Sequence, residues 1–158
     1  FPLGGTVPCV IIVVERSYPL CFMETISPCS DENIEDQARS EKIWRRQEGE
    51  DAAAQRHCEV VRQWAEVQSS HDRNSPNQTL CPVRNVSRLL QIKAVGIADV
   101  DAAAAGRALV DIWNPCEDIA DLVREEGRVL CLYGVRPSRQ EGRLSVSPAN
   151  IRIANSAW

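Results

Sequence analysis

A short helix set between two strands limits how this chain can fold more than any other pattern in it. Residues 107–113, RALVDIW, alternate apolar and polar side chains, which predicts a strand. In NPCEDIADLVREEGR, which follows, Asn114 can cap a helix, Pro115 suits its first turn and Gly127 can stop it. RVLCLYGV, residues 128–135, predicts the next strand. The fold must therefore hold a short helix between two consecutive strands.

Two further strands are predicted before this strand–helix–strand unit and one after it. The segment VPCVIIVVERSYPLCFME is rich in β-branched residues and predicts a long strand from about Val10 to Met23, bent or bulged near Ser17–Pro19 because proline cannot donate to a ladder. VSRLLQIKAVGI predicts a strand over Arg88–Ile97 that can form a hairpin with RALVDIW. The polar stretch RPSRQEGRLSVSP predicts a loop, and the last strand is expected around NIRIA.

Residues 30–70 differ sharply from these strands, since they are rich in Glu, Arg, Gln and Ala and predict an inserted helical segment. One helix from Ser30 to Ser69 would rise about 60 Å. The return segment Ser70–Asn85 spans at most roughly 55 Å, which favours a helical hairpin turning near Gly49, although a single helix stays open. Its second half carries an apolar stripe at helical spacing, made of Ala53, His57, Val60, Val61, Trp64 and Val67.

The order of these elements predicts a mainly β fold with an α insertion. Five strands with a helix between strands three and four are the arrangement of an OB barrel, and the helical insertion then lies between strands one and two. An immunoglobulin-type sandwich would need more strands and no helix here. We therefore expect residues 1–29 to supply the first strand and its lead-in, 30–85 a helical insertion, and 86–158 the remainder of the barrel.

Charge and cysteine content narrow the functional classes. The net charge of −4 argues against a strong whole-surface polyanion binder, so a cationic site must be local. Seven cysteines, an odd number with wide gaps and no CxxC, indicate neither a disulfide framework nor a zinc ribbon. We expect reduced, mostly buried thiols in a cytosolic or nuclear protein, with no bound metal and no cofactor. No apolar run approaches the length of a membrane helix.

Catalytic motifs are missing from the sequence. It contains no phosphate loop, no GxSxG, no HExxH and no carboxylates clustered with histidine, and both histidines lie in the polar insertion. The sequence therefore predicts a protein that is not an enzyme.

Single-strand binding by an OB barrel uses cations for phosphates and flat side chains for bases, on strands two and three and the adjoining loops. Trp113 can serve this purpose or pack beneath the helix that follows it, whereas Tyr133 is expected in the core. Arg136, Arg139 and Arg143 are expected to lie together in one loop. The predicted DNA-binding residues are Arg88, Lys93, Arg107, Trp113, Arg136, Arg139 and Arg143.

Five local stretches together cover nearly all the predicted barrel residues: FPL, VVERSYPLCFMET, VSRLLQIKAV, ALVDIWNPCEDIADLVREEGRVLCLYGV and ANIRIA. In these stretches the chain resembles the second OB domain of the breast-cancer type 2 susceptibility protein family. In that family the loop between strands one and two carries a tower of two long helices. Residues 30–85 resemble its base but are too few for a complete tower, so the duplex-binding role of the tower tip is not carried over.

The resemblance implies a nuclear, non-enzymatic single-stranded DNA-binding module of a homologous-recombination mediator that acts in double-strand break repair. It also implies the partners: sister OB domains of the same protein, a small acidic protein, and a RecA-type recombinase bound by other parts of the full-length protein. The alternative is a protein-interaction OB module that packs between sister domains and docks partners through Val60, Trp64 and Val67. No membrane contact is expected.

Overall fold

A computed structural model of the chain describes residues 5–26, 41–70, 81–97, 106–140 and 142–154. The chain divides into two compact units. The first, here called the barrel unit, is Phe1–Leu20 with Arg88–Trp158, and the second, here called the inserted unit, is Cys21–Ser87.

Eight strands and two α-helices make up the secondary structure of the described residues. In chain order they are β1 (Val7–Ser17), β2 (Cys21–Ile26), β3 (Glu41–Arg45), α1 (Gln47–Ser70), β4 (Asn85–Gly96), β5 (Arg107–Trp113), α2 (Glu117–Arg124), β6 (Val129–Pro137), β7 (Arg143–Val146) and β8 (Ile151–Ile153), with one turn of 3-10 helix (Pro148–Asn150) before β8.

Five of the strands close into a barrel in the order β1, β4, β5, β7, β6 and back to β1. β5 and β7 pair in parallel, and the other neighbours pair antiparallel. The helix α2 lies between the third and fourth barrel strands in sequence, and α1 lies between the first and second. The predicted five-stranded OB barrel with a helical insertion is confirmed. β8 pairs with β6 as an additional strand outside the closed ring.

Alternation along the barrel strands fills the barrel with aliphatic side chains. On β5, for example, Val110 and Ile112 are completely buried, while their neighbours point outward. The helix α2 contributes Ala120 and Val123 to the same cluster. The complete cluster is Ile12, Val14, Leu90, Ile92, Ala94, Val110, Ile112, Ala120, Val123, Leu130, Leu132, Val135, Val146 and Ile151.

A bulge and a break shape the first strand. Val14 is opposite Ala94 and Arg16 is opposite Lys93, so Glu15 is an extra residue in β1. The predicted single strand from Val10 to Met23 is wrong, because β1 ends at Ser17 and β2 begins only at Cys21, which makes the irregularity expected near Pro19 a complete break. The backbone N–H of Tyr18 still donates to the carbonyl of Gln91, at 2.9 Å.

In the inserted unit, the predicted helical hairpin is wrong for the residues the structure describes. The residues before Gly49 form the strand β3, which pairs antiparallel with β2, and Gly49 lies in the first turn of the single helix α1. EKIWR pairs with the backbone of β2, a distant segment, and this pairing overrides its helical composition. The first half of the predicted helical segment, up to residue 40, lies outside the described residues.

Four charged side chains join the elements of the inserted unit. Arg84 donates from Nε to Glu24 at 2.7 Å and from Nη1 to Glu50 at 2.9 Å, and Arg45 donates to the other oxygen of Glu24. The hydrogen bonds from Arg84, reinforced by those from Arg45 and opposed by burial, lower the pKa of Glu24 from 4.5 to about 2. The same bonds to Glu24 and Glu50 raise the pKa of Arg84. We call these four residues the ion cluster.

Two local predictions at the barrel ends are also wrong. The polar stretch after β6 contains the fifth barrel strand, β7, whereas the residues around NIRIA form β8. In RLSV, Leu144 faces the core and Arg143 faces out, but four residues were too short a signal among polar neighbours. Asn114 does not cap α2, which begins after Cys116. With φ at 49°, Asn114 instead accepts a hydrogen bond from the backbone N–H of Arg88 at 2.8 Å.

The expectation of mostly buried thiols is wrong for the six cysteines that the structure describes. Four of them are exposed: Cys9, Cys58, Cys81 and Cys116. Cys21 and Cys131 are half-buried. Cys9 lies on a strand but points away from the barrel interior, which aliphatic side chains already fill. Cys29 lies outside the described residues.

Candidate nucleic-acid interface

The outward side of β4, β5 and β7 forms the surface on which OB barrels bind oligonucleotides. We call it the outer face. Its register places Gln91 opposite Asp111 and Asp111 opposite Ser145, while Lys93 is opposite Leu109 and Leu109 opposite Arg143. The side chains of the outer face are Leu89, Gln91, Lys93, Val95, Arg107, Leu109, Asp111, Trp113, Arg143 and Ser145.

Asp111 at the centre of the outer face is 8% exposed and accepts three side-chain hydrogen bonds. Arg143 donates to it from Nε at 2.6 Å and from Nη2 at 3.1 Å, and Gln91 donates from Nε2 at 2.8 Å. Arg143 also donates to Gln140 at 2.6 Å. Such a bidentate pair fixes the guanidinium in place, so Arg143 is not a flexible cation awaiting a phosphate.

Glu15, the bulge residue of β1, neutralises two other cations of the face. Its Oε2 atom lies 3.2 Å from Nζ of Lys93 and 3.4 Å from Nε of Arg107. Three of the seven predicted DNA-binding side chains, counting Arg143, are therefore already paired with carboxylates inside the barrel unit.

A hollow of about 330 Å³ at one end of the outer face brings together an aromatic ring and a cation. Trp113 is half-buried at the end of β5, and Arg136 is exposed on β6 with no ion pair among the described residues. Gly134, with φ at 59°, lets its backbone lie close to Asn150, because a Cβ there would be 3.2 Å from Nδ2 of that residue. The hollow is lined by Trp113, Gly134, Arg136, Ser145, Val146, Ser147, Pro148 and Asn150.

A second hollow, of about 500 Å³, lies at the opposite ends of β5 and β7. Its walls include the apolar side chains of Val7, Val10 and Leu144, and its cations are Arg107 and Arg143. Both hollows adjoin the outer face, and the first differs in offering a cation without a carboxylate partner in the described structure.

The three arginines predicted to share one loop do not do so. Arg136 lies on β6, Arg139 lies in the turn that follows, and Arg143 lies on β7. The error has the same cause as the missed strand, since RLSV was taken as part of a polar loop. Arg88 lies on β4 and is half-buried, with no ion pair to any described residue.

Tyr133 does not lie in the core as predicted. It is 44% exposed on β6, opposite Cys9 of β1, because Leu130 and Leu132 are the inward residues of that strand. For Trp113, the structure favours neither alternative alone: the ring is partly covered and also lines the hollow.

The predicted protein-interaction residues share α1 of the inserted unit. Val60 and Val67 are 49% and 53% exposed, and Trp64 is half-buried between them in sequence. Their spacing of three and four residues places them along one side of the helix.

Sequence reasoning missed Glu15, Gln91 and Asn150 as contributors to this surface. Glu15 follows the apolar run VIIVV, so its charge was visible, but neither the bulge nor the cations it would meet could be read from the sequence. For Gln91 and Asn150 the sequence gives no comparable signal.

The chain matches no protein-family model and no curated protein. Within the described ranges, no group of three or more His, Cys, Asp or Glu side chains is placed to hold a metal ion. None of the helices described is both long enough and apolar enough to cross a membrane.

Proposed function

We propose that the barrel unit binds single-stranded DNA, weakly and without sequence specificity, across its outer face. The observation that carries the proposal is the hollow in which Trp113 and Arg136 lie together beside strands two and three of an OB barrel. An aromatic ring can stack any base, and an adjacent guanidinium can meet its phosphate.

The charge distribution explains why this binding is weak. Arg136, Arg139 and Arg88 form no ion pair within the described residues, whereas Lys93, Arg107 and Arg143 do. Phosphate contacts supply most of the affinity in non-specific binding. The three cations of the outer face itself are all paired, so this face gains less from a polyanion than the sequence alone predicts.

The biological setting of the proposal comes from the sequence resemblance. It gives a nuclear, non-enzymatic module of a homologous-recombination mediator in double-strand break repair. In this proposal the partners are single-stranded DNA, sister OB domains, a small acidic protein, and a RecA-type recombinase bound elsewhere on the full-length protein.

Titration of a labelled oligothymidine of about 20 nucleotides, followed by fluorescence anisotropy at several salt concentrations, tests the proposal. Trp113→Leu should weaken binding about tenfold with little change in the salt slope, because stacking is worth roughly 1–3 kcal/mol per base. Arg136→Gln with Arg139→Gln should weaken binding and reduce the slope by about 1.4, since each single-strand phosphate contact contributes about 0.7.

Arg124→Gln is the matched control, because this exposed arginine lies on α2 and pairs with Asp121. Its effect on affinity should be small. Binding that is unchanged in both Trp113→Leu and the Arg136, Arg139 double variant would rule out this hollow as the DNA site.

Exposed Val60 and Val67 on α1 favour a second candidate function, protein interaction. In that case the isolated chain shows no DNA binding at low salt. Val60→Ser with Val67→Ser would then weaken its association with the neighbouring domains supplied separately, as measured by calorimetry.

A further inference from the structure

The bulge in β1 makes Glu15 an extra residue beside Lys93 and Arg107, at the edge of the outer face. Without the extra residue, strand alternation after buried Val14 would place Glu15 outward and Arg16 inward. With the bulge, Arg16 becomes the partner of Lys93 and stays exposed, and Glu15 reaches both Lys93 and Arg107. One carboxylate thus joins the first three barrel strands, at the edge of the outer face.

This carboxylate is held by charge rather than by well-directed hydrogen bonds. Its Oε2 atom is enclosed and has no hydrogen-bond partner among the residues described, although two cations lie within 3.4 Å. The side chains of Lys93 and Arg107 remain 40% and 69% exposed. Ion pairs of this exposed kind contribute only about 0–1 kcal/mol, so a competing anion from solution can displace one.

A phosphate can compete with the carboxylate of Glu15 because the two groups have similar chemistry. A carboxylate and a phosphate both accept hydrogen bonds from lysine and arginine and both carry negative charge. Lys93 and Arg107 are diagonal neighbours on the outer face, the first opposite Leu109 and the second opposite Val95. Two such cations are the feature that OB barrels use to follow a phosphate backbone.

We propose that Glu15 is an internal competitor of DNA phosphate, which lowers the affinity of the outer face for single strands. The inference rests on the proposed function and goes beyond it, because it assigns a regulating role to a residue outside the hollow. A backbone must displace Glu15 from Lys93 and Arg107 before it gains those two contacts. Glu15 therefore weakens the binding of single-stranded DNA to the same extent for every DNA sequence.

The test is Glu15→Gln, which removes the charge and keeps the size of the side chain. With labelled oligothymidine at low salt, affinity should rise about threefold, because two cations are released from pairs of the exposed kind. The salt slope should steepen by up to about 1.4, as expected for two additional phosphate contacts on a single strand. Thermal unfolding followed by circular dichroism confirms that the variant is folded.

Glu126→Gln is the matched control, since it makes the same change in net charge at an exposed position with no ion pair in the described structure. A second comparison adds Lys93→Gln and Arg107→Gln in both backgrounds. These two changes should weaken binding more in the Glu15→Gln protein than in the original protein, where both cations are occupied.

The outcomes separate the two proposals. If both the original protein and Glu15→Gln bind with the same affinity and slope, the internal competitor is excluded and DNA binding stands. An equal gain in Glu126→Gln also excludes it, because net charge alone then explains the change. If neither the original protein nor Glu15→Gln binds at low salt, the proposed function fails and the inference fails with it.

Discussion

Different interactions stabilise the interior of the barrel unit and the interior of the inserted unit. The barrel unit buries a continuous aliphatic cluster from all five barrel strands, α2 and β8. In the described part of the inserted unit, the buried side chains are Phe22, Ala53 and the carboxylate Glu50, and the ion cluster joins β2, β3, α1 and the segment at Arg84.

The stability of the barrel unit should therefore depend little on pH, whereas that of the inserted unit should depend on the protonation of its carboxylates. Burial of apolar area contributes roughly 25 cal/mol per Å² and is independent of charge. A buried ion cluster offsets its own desolvation only while every member keeps its charge and its hydrogen bonds. Acid should therefore weaken the inserted unit before it weakens the barrel.

Leu90→Ala is expected to have the largest effect on the barrel unit. Leu90 is completely buried, and removing its side chain leaves a cavity in the aliphatic cluster. The free energy of unfolding should fall by about 2–5 kcal/mol in urea denaturation. Ile97→Ala, at a site 49% exposed, is the control and should change it by less than about 0.5 kcal/mol.

Arg84→Met should destabilise the inserted unit by about 3 kcal/mol, because it leaves Glu24 and Glu50 together without their shared cation. Loss of the helical signal of α1 in urea measures the effect. Arg62→Met, which removes exposed pairs with Glu59 and Glu66, should cost less than about 0.5 kcal/mol. Equal stability of these two variants would show that the ion cluster contributes nothing.

Lowering the pH should weaken the inserted unit through Glu24. Its pKa in the folded state, about 2, lies below the ordinary value of 4.5, so the folded state favours the carboxylate. The resulting stability is fully present above pH 4.5 and is lost as the pH falls towards 2, by up to about 3 kcal/mol. Unfolding measured from pH 6 to about pH 2 should show this loss, and Glu24→Gln should remove it.

Asp111→Asn should have the smallest effect of the four, about 1.5 kcal/mol, because it weakens the charged hydrogen bonds to Arg143 while leaving the aliphatic cluster intact. Urea denaturation of the barrel unit measures it. Glu126→Gln again serves as the control, and a loss as large as that of Leu90→Ala would contradict the view that apolar packing dominates this unit.

The sequence was sufficient for the barrel because its signals are local. The turn and cap residues between Trp113 and Arg128 and the alternation of Val110 and Ile112 each depend on near neighbours. From them follow the element order and the OB barrel. Even here the short strand β7 was missed, since RLSV offers only two inward residues.

The site and the inserted unit were harder to predict because they depend on residues far apart in sequence. Glu24 and Arg84 are separated by 60 positions, and Asp111 and Arg143 by 32. No local sequence pattern predicts which carboxylate will pair with which cation. The sequence therefore identified the cations of the outer face but not how many of them are already paired.

The pairing of β1 with β4 has a consequence for the order in which the barrel folds. Ser17 is opposite Ile92, so this pair closes only after the whole inserted unit has been synthesised. The pairs among β4, β5, β6 and β7 span much shorter stretches of chain. Contacts between distant segments form slowly, because the chain entropy of the loop is lost first. We expect the strands after residue 85 to assemble early and β1 to complete the barrel last.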